Sequence, residues 1–170
     1  KILLKKSEKI LCAKFRKGHF ESVIDILNRF TKIISPKLIF LGEKDYQQFF
    51  LIKKFIEKNY TTKVHMCKTI RDSNMIALSS RNTLLSKANL NKLSQITNKL
   101  LKFKKIVASN RNDHKSLIHK IKKDLIEIFK IKIEYMECRN VINLDTNINN
   151  KSFKIFVAFY LEGVRLIDNF

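Results

Sequence analysis

The run Gly42-Glu43-Lys44-Asp45 gathers a residue without a side chain, a cation and two carboxylates into consecutive positions. It follows a short apolar stretch and precedes a helical one, so it lies at the carboxyl end of a strand and the start of a helix. In open α/β sheets ligands lie along that edge, and a helix amino terminus offers unpaired N–H groups and the positive end of a dipole. Gly42 would let a ligand approach the backbone, Lys44 could neutralise a phosphate, and Asp45 could accept a hydrogen bond from a hydroxyl. An ordinary strand–helix turn with Asp45 as its cap fits the same residues equally well. Gln47 and Gln48 stand one helical turn on, and either could point at the same crevice.

Leu78-Ser79-Ser80-Arg81 is the second run of interest. Two hydroxyls, consecutive N–H groups and a guanidinium can clamp a phosphate. Taken alone, a polar cap before the next helix is the simpler reading. Arg16-Lys17-Gly18-His19-Phe20 is a basic turn before a helix, and a lone histidine such as His19 is more often structural or superficial than pH-active. His114 and His119 are five apart on an expected helix, which misses the i,i+4 spacing of a metal pair, so they take no role. Cys12, Cys67 and Cys138 are odd in number, far apart and without a CxxC, which suggests neither a disulfide framework nor a zinc site.

The elements that must position these runs can be read from periodicity. Phe20, Val23, Ile24, Leu27, Phe30 and Ile34 recur at helical spacing, and Ser35-Pro36 stops them. Residues 37–41 form an apolar run ending at Gly42, read as a buried strand. Helical spacing returns over about 45–58 through Phe49, Ile52 and Ile56, and 63–67 is a second strand. Helix, strand, helix, strand is the rhythm of an α/β sheet with parallel neighbours. After about Ile70 the texture changes. A polar turn over 71–74 leads to Leu78–Arg81, and amphipathic helices follow near 87–102 and 114–129. Ile131, Ile133 and Tyr135 alternate with polar residues, Asn143 to Asn150 reads as a loop, and Phe153, Ile155, Val157 and Phe159 alternate again. These features predict an α/β portion over 1–70 and a small α+β domain over 71–170 that closes with a hairpin-like pair.

Composition narrows the partners. Lys plus Arg total 35 against 15 Asp plus Glu, a formal charge of +20, with 45% hydrophobic residues. That is too apolar for a disordered basic tail. Counterion release makes such a charge attractive to nucleic acid. Yet Lys, Ile, Asn and Phe are enriched together, and all four have A/T-rich codons, so coding bias explains the charge better. Only 7 of the 35 cations are Arg, the residue favoured for bidentate base contacts. No stretch reaches the 18 apolar residues of a membrane span, and residues 1–9 lack a signal-peptide core. A cytoplasmic protein is expected.

Several runs agree in order with one family. Phe15–Phe20, Phe40–Gln48, Thr69-Ile70-Arg71, Ala77–Asn82, Tyr135–Arg139 and Arg165–Asn169 together resemble the pantothenate synthetase (pantoate–β-alanine ligase) family along essentially the whole chain. The resemblance implies the last part of a Rossmann-like, parallel-sheet nucleotide-binding domain, followed by a small α+β lid domain. It implies an ATP-dependent ligase that joins pantoate to β-alanine through a pantoyl adenylate, releasing AMP and diphosphate. Carried over position by position, Gly42 and Asp45 hold the ATP ribose region with Glu43 between them, and Lys44 contacts phosphate. Gln48 binds pantoate, Ile70 lies against adenine, and Leu78, Ser79, Ser80 and Arg81 clamp the phosphates, with Arg71 a further candidate cation. Mg²⁺ arrives with the nucleotide and needs no protein cage. A homodimer is implied for the complete enzyme, with no membrane or nucleic-acid partner. The rival reading is a catalytically inactive basic module that holds nucleic acid.

Departures from the family pattern carry expectations of their own. The family's opening histidine-containing signature has no counterpart here, and Gly18-His19 belongs to a later segment. The catalytic residues are therefore unassigned, and the chain is expected to be a C-terminal portion that is inactive or nearly so alone. Lys17 and Lys68 stand where the family has prolines, and Asn74-Met75 where it has Asp-Gly. These changes alter turns without removing a ligand group.

Overall fold

The computed structural model describes residues 2–149 and 152–170. The chain divides into two units, Lys1–Thr69 and Ile70–Phe170. Asn150, the end of the expected loop, lies outside the described residues. Among the described residues no helix is long and apolar enough to cross a membrane.

In the first unit, a short helix α1 (Leu11–Phe15) precedes α2 (His19–Ile34), β1 (Leu38–Gly42), α3 (Tyr46–Asn59) and β2 (Lys63–Cys67). β1 and β2 are parallel, with Leu38 opposite Lys63 and Gly42 opposite Cys67. Parallel neighbours require a crossover, and α3 supplies it. α3 buries Phe49, Leu51, Ile52 and Ile56, and Val64 of β2 is buried with them. α2 ends where Ser35 turns to φ 48° before Pro36, which cannot extend a helix. The α2 stripe is only partly buried. Phe20 and Ile24 are enclosed, whereas Phe30 and Ile34 are exposed. β1 also differs from the buried strand expected: Leu38 and Phe40 are exposed. Residues in register share a face, and Phe40 stands 5.8 Å from the His65 ring. α3 packs against the two strands, while the Leu38–Phe40 face has no cover among the described residues.

The second unit contains α4 (Lys87–Ser109), α5 (His114–Phe129), β3 (Lys132–Asn140), β4 (Phe153–Leu161) and β5 (Val164–Asn169). The strands form one antiparallel sheet in the order β3-β4-β5. Leu93, Ile96, Leu100, Phe103 and Val107 of α4 and Ile121, Leu125 and Phe129 of α5 share a core with Ile155, Val157 and Phe159. α4 runs seven residues past the expected end, because Phe103 and Val107 continue its buried stripe at helical spacing. The closing sheet has three strands rather than a pair. A register break between Ile133 and Tyr135 puts Tyr135 and Met136 both inside. Such a bulge ends the alternation that marks a strand in sequence. β4 is buried on both faces, so it too loses its alternation. β4 and β5 join through Glu162-Gly163, with φ 48° and 77°. Positive φ at both residues is what a tight two-residue hairpin needs, and Gly163 takes it without strain.

Candidate functional site

The first candidate run sits where the sequence puts it. β1 ends at Gly42, a single 3-10 turn covers Glu43–Asp45, and α3 begins at Tyr46. Gly42 has φ −71°, and a Cβ built there meets nothing within 4 Å. Neither backbone strain nor a neighbouring group in the described residues accounts for a glycine here. Lys44 is half-buried and Asp45 exposed. Asp45 does occupy the cap position of α3, but its side chain makes no capping hydrogen bond. Its carboxylate is therefore not spent on the helix.

Glu43 is engaged within the unit: its Oε2 accepts the Thr69 amide at 3.2 Å. That bond fastens the turn after β1 to the segment leaving β2. Tyr46, next in chain, is buried, and burial followed by the Glu43 charge pushes its phenol above the ordinary tyrosine range. It stays neutral and protonated at physiological pH.

The two glutamines separate cleanly. Gln47 is buried and turned away, with Nε2 donating to the Ile10 carbonyl at 2.7 Å and the Glu8 carbonyl at 3.2 Å. Its Oε1 accepts the Ala13 amide at 3.4 Å. Gln48 is half-buried and makes no side-chain hydrogen bond among the described residues. Only Gln48 is left for a ligand. His19, at the start of α2, stands with its ring 5.0 Å from Phe20.

In the second unit, a local fold-back brings Ile70 and Leu78–Arg81 together. Arg71 pairs with Ala77 as an isolated antiparallel bridge, and the Leu78 amide donates to the Ile70 carbonyl at 3.0 Å. Asp72 closes the turn between them, its Oδ1 accepting the amides of Asn74 at 2.9 Å and Ile76 at 2.8 Å. Ile70 is 70% exposed and Leu78 58%. Ser79 caps the 3-10 turn Ser80–Leu84, its Oγ accepting the Arg81 amide at 3.2 Å. The polar-cap reading of Ser79 is thus realised, while the Ser80 hydroxyl has no partner among the described residues. Asn82 Nδ2 donates to the Ala77 carbonyl at 3.0 Å and braces the run from beyond.

Arg71, the further candidate cation, is engaged within the second unit. Its guanidinium is bound to Asp168 at 2.8 and 2.9 Å. Nothing in a single sequence links residues 97 positions apart. Asn82, by contrast, lies inside a run already singled out and was readable only as part of it. Among the described residues, no group of three or more His, Cys, Asp or Glu side chains gathers to hold a metal.

Comparisons with known proteins show the family of the chain and the likeness of its fold. A family model described as pantoate-beta-alanine ligase matches residues 1–170. A pantothenate synthetase of Leptospira interrogans is 35% identical over 165 residues, which is 95% of this chain and 57% of that protein. One from Flavobacterium psychrophilum is 30% identical over 164 residues, covering 92% of this chain and 56% of its own length. The chain thus spans a little over half the length of these relatives. The crystal structure of pantothenate synthetase from Thermus thermophilus matches 99% of this chain and 61% of its own, with a TM-score of 0.87 at 24% identity, a likeness of fold. The Francisella tularensis pantoate-beta-alanine ligase, crystallised with Beta-gamma ATP and β-alanine, matches with a TM-score of 0.73 at 30% identity. That match covers all of this chain and 57% of the Francisella chain.

Proposed function

Since the chain belongs to the pantoate-beta-alanine ligase family, matched along residues 1–170, we propose that it carries the ATP-handling portion of a ligase that joins pantoate to β-alanine. The pantoate carboxylate attacks the α-phosphorus of ATP, supplied as its Mg²⁺ complex, and diphosphate leaves. The amine of β-alanine then attacks the acyl carbon of the pantoyl adenylate, and AMP leaves with the bonding electron pair. Both steps need positive charge beside a crowded phosphate and a held nucleophile, rather than a covalent enzyme intermediate.

Each segment has a part in this scheme. Gly42 and Asp45 take the ribose region, with Glu43 fixing their turn from within, and Lys44 faces phosphate charge. Gln48 hydrogen-bonds pantoate. Ile70 lies along adenine, and Leu78, Ser79, Ser80 and Arg81 clamp the phosphates. The Francisella protein's ligands, a nucleotide and β-alanine, support ATP and β-alanine as partners here. A reducing, cytoplasmic setting suits three cysteines in the thiol form, and the complete protein is read as a homodimer.

The state of Arg81 carries this reading. In the second unit Arg71, Arg111, Arg139 and Arg165 all donate to protein acceptors. The Arg81 guanidinium has no such partner among the described residues. A half-buried guanidinium next in chain to an exposed serine hydroxyl, neither bonded to protein among the described residues, suits an incoming anion.

Titration of the 170-residue chain with MgATP tests the proposal. Lys44→Ala and Arg81→Ala should each weaken ATP binding roughly tenfold or more, with duplex DNA affinity little changed. A salt-sensitive DNA affinity far above the ATP affinity, insensitive to both substitutions, would overturn it.

A further inference from the structure

Arg71 is a cation that the sequence offers to phosphate and the structure commits elsewhere. Nη1 donates to Asp168 Oδ2 at 2.8 Å and to the Met75 carbonyl at 3.0 Å. Nη2 donates to Asp168 Oδ1 at 2.9 Å and to the Asn169 carbonyl at 3.2 Å. The guanidinium carbon lies 5.0 Å from the centre of the Phe170 ring. The two side chains are only 14% and 11% exposed. Every donor on the terminal nitrogens is therefore taken, and a ring lies against the guanidinium. A phosphate would have to displace a bidentate carboxylate to reach it.

What Arg71 holds is more informative than what it cannot bind. It opens the fold-back whose other arm is Ala77, and the next residue along that arm, Leu78, begins the candidate clamp. Met75, whose carbonyl Arg71 binds, is at the tip of the same turn. Asp168 belongs to β5 and sits opposite Val157 of the buried strand β4. The Arg71–Asp168 pair thus ties the exposed turn over 72–75 to the buried sheet of the unit. From this geometry we propose that Arg71 is a positioning residue. It fixes Leu78–Arg81 in place through Asp168 and does not touch phosphate itself. The inference rests on the ATP-ligase reading for the ligand alone.

Asp168→Asn tests it in the 170-residue chain, because the amide keeps the carboxylate's shape and loses its charge. Amide hydrogen exchange at Leu78 and Arg81 should then speed up by about tenfold or more, with exchange at Leu125 in the core unchanged. ATP affinity should fall by a similar factor, and affinity for adenosine, which has no phosphate, should fall less. Arg71→Lys should reproduce both effects, and the double variant should lose no more than either single one. Unchanged exchange at Leu78 and Arg81 overturns the inference, whatever happens to ATP. So does an ATP affinity that rises in Asp168→Asn, or one that holds there although Arg81→Ala lowers it, the results expected if the freed guanidinium binds phosphate. An equal loss for ATP and adenosine, with faster exchange at Leu125, also overturns it, since that is general unfolding. Arg81→Ala separates the underlying reading: if it leaves ATP affinity intact while Asp168→Asn still loosens Leu78 and Arg81, the ligand assignment fails and the positioning role stands.

Discussion

Gln47 reaches back 37 residues to donate to the Ile10 carbonyl at 2.7 Å, so the second residue of α3 is a clasp for the chain entering α1. Its amide also binds Glu8 and Ala13, and the residue is 6% exposed. Replacing it strands the Glu8 carbonyl in a largely dry setting and removes the second bond of the Ile10 carbonyl and the Ala13 amide, which keep their bond to each other at 2.9 Å. Gln47→Ala should therefore cost about 1–3 kcal/mol, the cost of one stranded group. Gln48→Ala, which breaks no bond in the described residues, should stay within about 0.5 kcal/mol. Urea unfolding followed by circular dichroism compares the two directly. The loss in Gln48→Ala should appear instead in pantoate affinity.

Met75 holds φ 66° at the tip of the fold-back that Asp72 closes. A side chain in that left-handed region crowds the following carbonyl, at about 1–2 kcal/mol, and glycine removes the crowding. Glycine also gives back some stability through a freer unfolded chain. Met75→Gly should thus stabilise the second unit by about 0.5–1 kcal/mol, read as a higher urea midpoint with an unchanged slope. A lower midpoint would mean that the half-exposed Met75 side chain contributes more packing than its exposure suggests.

The Asn74-Met75 pair shows how far the sequence carries. That this was a turn was readable from residue types, whereas Met75 standing in place of the usual glycine was readable only through the family resemblance. So were both long helices of the second unit, because Leu93, Ile96, Leu100, Leu125 and their neighbours recur at helical spacing and face one core. Strands were harder. β1 is apolar, yet Leu38 and Phe40 are exposed, since hydropathy reports what a face could bury and not what covers it. β5 carries Arg165 and Asp168 within six residues, and it is a strand because Glu162-Gly163 turns the chain back and Glu134 and Arg71 neutralise those charges. In the candidate site the ligand-type residues were visible, and their brackets were not. Glu43 to Thr69, Arg71 to Asp168 and Gln47 to Ile10 are long-range bonds that no local spacing encodes.

Glu8 gives the first unit an acid-sensitive contact. Burial alone would raise its carboxyl. The hydrogen bond from Lys54 at 2.6 Å, the Lys5 amide and the two lysine charges outweigh burial and hold it below the ordinary carboxylate range. A folded-state value below the unfolded 4.5 means that the unfolded chain binds the proton first. The stabilisation is therefore complete above about pH 4.5 and disappears as pH falls through the lower folded value. Lys54→Met should lower stability at neutral pH, and parent and variant should converge as pH falls below 4.5 and through the lower folded-state value. Parallel urea titrations from pH 3 to 7 check this. A constant difference across that range would show that Lys54 acts through packing rather than through the Glu8 charge.

Cys138 and Cys67 should behave as opposites. Cys138 lies in β3 at 3% exposure, and burial pushes its thiol up to about 12 from an ordinary 9.0. Cys67, opposite Gly42 at the end of β2, is exposed. The thiolate is the reactive form, so a neutral maleimide or disulfide reagent at pH 7.5 should modify Cys67 within minutes and reach Cys138 only on unfolding. The same shift sets an alkaline limit. Below about pH 9 the Cys138 thiol is neutral in both states and its contribution to stability is complete. Between about 9 and 12 the unfolded thiol ionises while the folded one keeps its proton, so stability falls by about 1.4 kcal/mol per pH unit from this group. Lysines and tyrosines titrate in the same window, and Cys138→Ala isolates the cysteine. The variant should begin less stable through its lost packing, and its deficit relative to the parent should shrink steadily above pH 9. A deficit that stays constant up to pH 11 would mean that water reaches the β3 thiol.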